Sequence, residues 1–191
     1  MRGSGDSDTV LVIGGTGPTG PFVVRGLIER GMHVVICHTG RHEVDQIPPQ
    51  VEHVHTDPFD ADALQGALAG RRFDAVIATY GRLRDVAMLA RDLTDRLTTV
   101  GGMPVYRGYM VPEVRTPAGV PIPTREDDAL AAEGDDPKSV RVAATEARLF
   151  AAFPDATHFR YPYVYGPRQL MPREWPIVRR IRDGRSFVIV P

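Results

Sequence analysis

Apolar residues along the chain fall into two alternating textures. Short β-branched runs are followed by longer stretches in which apolar positions recur every three or four residues. This alternation predicts βαβ units and a parallel sheet. The first run covers residues 9–13 and precedes a helical pattern over 18–30, which Gly31 ends. Residues 33–37 and 51–56 read as the second and third strands, and 60–69 as a short helix capped by Asp60. A fourth strand is expected over 73–79, then a helix over 82–94 with Val86, Leu89 and Leu93 at helical spacing, then a fifth strand over 96–100. Pro112, Pro117, Pro121 and Pro123 interrupt regular structure after that point. The pattern resumes with a helix over 139–153, a sixth strand over 157–161, a helix over 174–183 and a last strand over 186–190.

Composition narrows the class. A chain of 191 residues with 42% apolar content can bury a substantial core. The formal net charge is -1, and no long basic run suggests a nucleic-acid partner. No run of about 18 apolar residues predicts a membrane span. The polar, Gly/Ser-rich residues 1–8 carry no secretory signal pattern and are expected to be flexible. A single cysteine, Cys37, cannot form an internal disulfide, so a cytoplasmic setting is expected. Only one of the 23 basic residues is lysine, Lys138, and there are four serines: Ser4, Ser7, Ser139 and Ser186. Any chemistry that needs Lys or Ser must use these positions.

The strongest motif lies between the first strand and the first helix: Gly14-Gly15-Thr16-Gly17-Pro18-Thr19-Gly20. Gly14, Gly17 and Gly20 are spaced by three, as in a dinucleotide-binding turn. There the first glycine allows a tight turn, the second lets the backbone approach a pyrophosphate, and the third lets the helix pack closely on the sheet. Thr16, Pro18 and Thr19 belong to the same cradle. The second strand ends in Cys37-His38-Thr39-Gly40-Arg41-His42, with no carboxylate before Glu43 to bind ribose hydroxyls. Arg41 suits an additional phosphate, which favours NADP over NAD. Asp57, after the third strand, could accept from an adenine amino group or cap the next turn.

With the glycine loop, Asp57, the segment 100–106 and Arg160-Tyr161-Pro162-Tyr163-Val164-Tyr165-Gly166-Pro167-Arg168, the chain resembles the extended short-chain dehydrogenase/reductase family, its epimerase/dehydratase-like group. The resemblance covers nearly the whole chain from Thr9. It implies a Rossmann-like, doubly wound parallel α/β sheet over residues 9–160 and a reduced substrate-side extension over 161–191. It also implies a tyrosine acid/base with a lysine four residues later and an assisting serine. No tyrosine here has a lysine four residues on. Anchoring on Glu146 puts the tyrosine position near residues 138–140, the lysine position near 142–144 and the serine position at Gly102. None of the three holds the family residue. The usual redox machinery is therefore expected to be missing, and Tyr106 is the surviving candidate for proton transfer.

Tyr80, after the fourth strand, Arg160, near the end of the sixth, and Tyr163, after it, are expected to line a small-molecule pocket. His53, His55 and Asp57 alternate along the third strand, but without a third convincing ligand this reads as a strand face and no metal is expected. Cys37 reads as a structural thiol. Three functions stay open at this stage. They are an NADP-binding enzyme of the epimerase/dehydratase group acting on a small molecule, a non-redox isomerase, cyclase, dehydratase or NADP sensor on the same scaffold, and an interaction subunit. In the last case a homodimer or a partner chain would complete the substrate lobe, because family members usually continue well beyond Pro191.

Overall fold

A computed structural model describes residues 7–41, 43–79, 81–169 and 171–187. Six strands, β1 (Thr9–Ile13), β2 (His33–His38), β3 (Glu52–His55), β4 (Ala75–Ala78), β5 (Leu97–Gly102) and β6 (Thr157–Tyr161), form one sheet. Every pairing is parallel, and the spatial order is β3-β2-β1-β4-β5-β6. This is a Rossmann-like doubly wound sheet, and the order reverses between β1 and β4. Ligands of such sheets bind at that reversal, outside the carboxyl ends of the strands.

The central strands are apolar on both faces because helices cover both. Val10 and Val12 of β1, with Val34 and Ile36 of β2, pack on one side with Val24 of α1 (Gly20–Ile28). Leu11, Ile13, Val35 and Cys37 point the other way. They meet α2 (Ala61–Leu68), α3 (Leu83–Leu93) and α4 (Pro137–Ala152) through Leu64, Leu68, Val86, Ala90 and Leu149. Asp60 caps α2 as its position predicts, accepting from the amides of Asp62 at 3.1 Å and Ala63 at 3.0 Å. Asp136 caps α4 in the same manner, through the Ser139 amide at 2.9 Å.

The proline-rich stretch after β5 folds back on that strand's end. Arg107 N–H donates to the Ala129 carbonyl and Ala131 N–H to the Val105 carbonyl. A last helix, α5 (Trp175–Arg182), has no buried residue. The last strand expected over 186–190 is not seen at Ser186 and Phe187, and its other residues lie outside the described residues. Among the described residues no helix is long and apolar enough to cross a membrane.

Candidate functional site

The glycine loop leaves β1 at the sheet's point of reversal. Gly14 has φ +90°, a conformation that side chains disfavour, and its amide donates to the Cys37 carbonyl at 2.9 Å. A Cβ on Gly20 would lie 2.1 Å from the Gly15 carbonyl oxygen, so glycine alone lets α1 come this close. Gly15, not singled out by the spacing, is equally constrained: its Cβ would lie 2.8 Å from a methyl of Ile36. Gly17 differs from both. A Cβ there would meet only the Gly14 carbonyl, at 3.4 Å, so packing does not demand glycine at this position. Its open surface, with half-buried Thr16, Pro18 and Thr19 beside it, fits the role of admitting a ligand's backbone-facing group. The first turn of α1 carries no acidic residue and no side-chain cap, but its amides are largely taken: Gly20 N–H donates to the Gly17 carbonyl at 3.1 Å, Val23 N–H to the Thr19 carbonyl at 3.2 Å, and Pro21 has no N–H.

Thr79, at the end of β4, locks the loop by donating its hydroxyl to the carbonyls of Ile13 at 3.2 Å and Gly14 at 3.3 Å. Arg168 reaches the loop from the far end of the chain. Its guanidinium donates to the Thr16 carbonyl at 3.3 Å and to the Gln46 side chain, while its Nε is buried with no partner among the described residues. Arg168 adopts φ +73° to make this approach. The sequence offered it as part of the family-like motif, but nothing in its spacing assigned it to the glycine loop.

A cavity of about 400 Å³ opens on the same edge of the sheet, lined by Gly81, Arg82, Gly102, Val142, Glu146 and His158 among others. It is of the size and apolar character of small-molecule sites. Gly102 and Val142 stand where the family resemblance puts the serine and the lysine. Besides Arg82, Arg84 and Arg141, the ionisable groups on the cavity wall are His158, from β6, and Glu146, from α4. His158 Nδ1 is 2.7 Å from the Thr99 hydroxyl, and its Nε2 is 3.4 Å from Glu146 Oε2. The ring fits because residue 101 is glycine: a Cβ there would lie 2.5 Å from Nε2. Burial pushes the His158 pKa down, with the Glu146 carboxylate opposing and Arg160 assisting, so the imidazole is held neutral.

Arg160 closes the network. It donates in a two-pronged contact to the Glu146 carboxylate, and to the Tyr106 hydroxyl at 2.7 Å and the Glu126 carbonyl at 2.8 Å. Its guanidinium carbon also lies 4.9 Å from the Tyr106 ring centre. The structure thus brings Tyr106 and Arg160 together. However, Tyr106 is only 3% exposed, and neither residue is among those lining the cavity. Tyr163 lies elsewhere, 58% exposed, with Arg173 over its ring at 4.3 Å. Tyr80 lies outside the described residues. His158 and Glu146, which face the cavity, were not picked as site residues from sequence. A lone histidine in a strand and a glutamate in a helix carry no local signature.

The remaining expected contacts are local ones. Asp57 accepts from the Phe59 amide at 2.9 Å, which is the turn-capping geometry. Arg41 is exposed, just after Gly40 at φ +74°. Cys37 is fully buried, and desolvation pushes its thiol pKa up to about 12, as suits a structural thiol. His53 and His55 do converge, but with His38 and Glu43 and not with Asp57. His38 Nε2 lies 3.0 Å from His53 Nδ1.

No family model matches the chain. A curated relative, the chloroplast stem-loop binding protein of 41 kDa b of Arabidopsis thaliana, is 24% identical over 194 residues, which cover 94% of this chain and 48% of the relative. Among solved structures, the Bordetella bronchiseptica enzyme WbmG in complex with NAD superposes with a TM-score of 0.73 at 16% identity, covering 98% of this chain and 63% of that one. WbmH of the same organism, in complex with NAD+, gives 0.70 at 19% identity, over 94% and 64%. The UDP-glucose 4-epimerase of Thermotoga maritima, with UDP-glucose, gives 0.68 at 19% identity, over 96% and 66%. At these identities the likeness establishes a shared Rossmann-like fold. The chain spans about half the length of the curated relative and less than two thirds of the two Bordetella enzymes.

Proposed function

We infer that the chain binds a nicotinamide dinucleotide with its pyrophosphate on the glycine loop, and acts on a small molecule as an epimerase/dehydratase-like short-chain dehydrogenase/reductase. The observation that carries this reading is the division of labour in the loop. Gly14, Gly15 and Gly20 are required by turn and packing, while Gly17 is required by neither, a Cβ there meeting only the Gly14 carbonyl oxygen at 3.4 Å. Thr16, Pro18 and Thr19 flank the phosphate path, and the guanidinium of Arg168 adds positive charge above it. Asp57 stands at the adenine side. The NAD-bound neighbours WbmG and WbmH support a nicotinamide cofactor. Arg41, with no carboxylate before Glu43, favours NADP over NAD. When bound, the nicotinamide supplies hydride exchange with the substrate. A paired titration with NADPH and NADH tests the preference: Arg41→Ala weakens NADPH binding about tenfold or more and leaves NADH unchanged. Equal weakening of both, or no binding of either to the unaltered chain, would sink it.

A non-redox reading on the same scaffold is favoured by the cavity wall. Gly102, Lys138 and Val142 supply no phenol–ammonium pair at the family positions, whereas His158 and Glu146 place a neutral imidazole beside a carboxylate there. Such a pair can take and return a substrate proton in an isomerisation or dehydration, with Arg160 fixing the carboxylate and the Tyr106 hydroxyl accepting from Arg160. His158 replaces Tyr106 as the favoured proton-transfer group on this account, because it faces the cavity and Tyr106 does not.

A further inference from the structure

The carboxyl ends of β2 and β3 carry a second cluster that the cofactor reading does not use. His38 ends β2, while His53 and His55 lie on one face of β3. The register pairs His38 with His55, which brings all three rings to one corner of the sheet. Glu43 comes from the connection between the strands and places Oε1 3.2 Å from His55 Nε2 and Oε2 3.5 Å from His53 Nδ1. His38 Nε2 lies 3.0 Å from His53 Nδ1 and 3.9 Å from Glu43 Oε1. One ligand atom from each residue lies within 4.8 Å of all the others, and no other such group exists among the described residues.

We propose that His38, Glu43, His53 and His55 form a four-ligand site for a divalent transition cation of the zinc class. Tetrahedral zinc with bonds of about 2.0–2.1 Å separates its ligand atoms by roughly 3.3–3.4 Å. The separations above, 3.0–3.9 Å for four of the pairs with none beyond 4.8 Å, bracket that edge, so inward shifts bring the four atoms around one ion. The rings stand nearly perpendicular to one another, with interplanar angles of 72°, 86° and 83°, so they converge without stacking. Three imidazoles and one carboxylate suit zinc or cobalt(II) and not magnesium or calcium, which take oxygen ligands. Four protein ligands make a closed site of the structural kind, joining β2, β3 and the segment between them.

Ligation has a local consequence. The Gly40 amide donates to His38 Nδ1 at 3.2 Å, which places the proton of the neutral ring on Nε2, directed at His53 Nδ1. Binding the cation through Nε2 moves that proton to Nδ1, where it meets the Gly40 N–H. The peptide at Gly40 must then turn away, and a glycine at φ +74° is suited to such a change.

The test uses the full chain without any polyhistidine tag, titrated with Zn2+ and separately with Co2+. One equivalent of each is expected to bind, with cobalt giving the visible bands of a tetrahedral site and zinc shifting the Gly40 amide resonance. His55→Ala and Glu43→Gln act on side chains that are 56% and 55% exposed, so both variants should keep the metal-free melting temperature. Each should bind zinc at least about tenfold more weakly. Absence of saturable one-equivalent binding, or zinc affinity unchanged in both variants, would overturn the proposal.

Discussion

At the scale of single residues, the centre of the molecule is the Arg160–Glu146–His158 chain beneath the cavity. Glu146 is 6% exposed and takes a two-pronged contact from Arg160. A buried carboxylate persists only when paired in this way, and the pair adds little net stability although breaking it is costly. His158 has a pH signature. Its folded pKa is pushed below the ordinary 6.5 by burial, so as pH falls below that value the unfolded chain takes up a proton sooner than the folded one. Stability contributed by the neutral ring is therefore complete above about pH 6.5 and is lost as pH falls through the folded pKa. The melting temperature should drop between about pH 7 and 5, and His158→Gln should flatten that slope. A melting temperature that rises on acidification would contradict this account. Arg160 and Tyr106 were legible in the sequence as candidates, but Glu146 and His158 were not picked out as their partners. Glu146 and His158 are 12 positions apart on different elements, and only the β5–β6 pairing with α4 above it joins them.

At the scale of elements, the strand pattern set bounds closely for β1, a continuous apolar run, and for β6, where β-favouring residues alternate with polar ones. The bounds of β1 and β6 agree with the pattern residue for residue. The pattern was less informative where glycine replaced the apolar residue. β5 runs through Gly101 and Gly102 because β6 continues to pair there, and the apolar run stops at Val100. α1 starts at Gly20 and not at Pro18, because the residues between belong to the glycine-loop turn. That join also yields a prediction. Gly20→Ala forces a methyl to within 2.1 Å of backbone and should cost about 1–3 kcal/mol or more in urea denaturation. A cost well below 1 kcal/mol would show that α1 can shift outward, and that close packing is not what the third glycine secures.

At the scale of the whole molecule, the order β3-β2-β1-β4-β5-β6 puts three groups on one edge of the sheet: the glycine loop, the His158 cavity and the histidine cluster. The fold class and the loop were legible because both are written locally, in period and in glycine spacing. The cavity wall was not, since it is assembled between elements distant in sequence. Of the four-residue cluster only the His53–His55 alternation showed, because His38 and Glu43 join it through the β2–β3 register and the connection between those strands. The central claim is that the loop holds a dinucleotide pyrophosphate through the open surface at Gly17. The most direct measurement is a fluorescence titration of NADPH and NADH against the unaltered chain and Gly17→Trp, with a melting curve for each protein. The account predicts saturable binding by the unaltered chain. It also predicts a loss of at least about a hundredfold in the variant, roughly 2.8 kcal/mol, with the melting temperature nearly unchanged. Binding of equal strength in both proteins would contradict it.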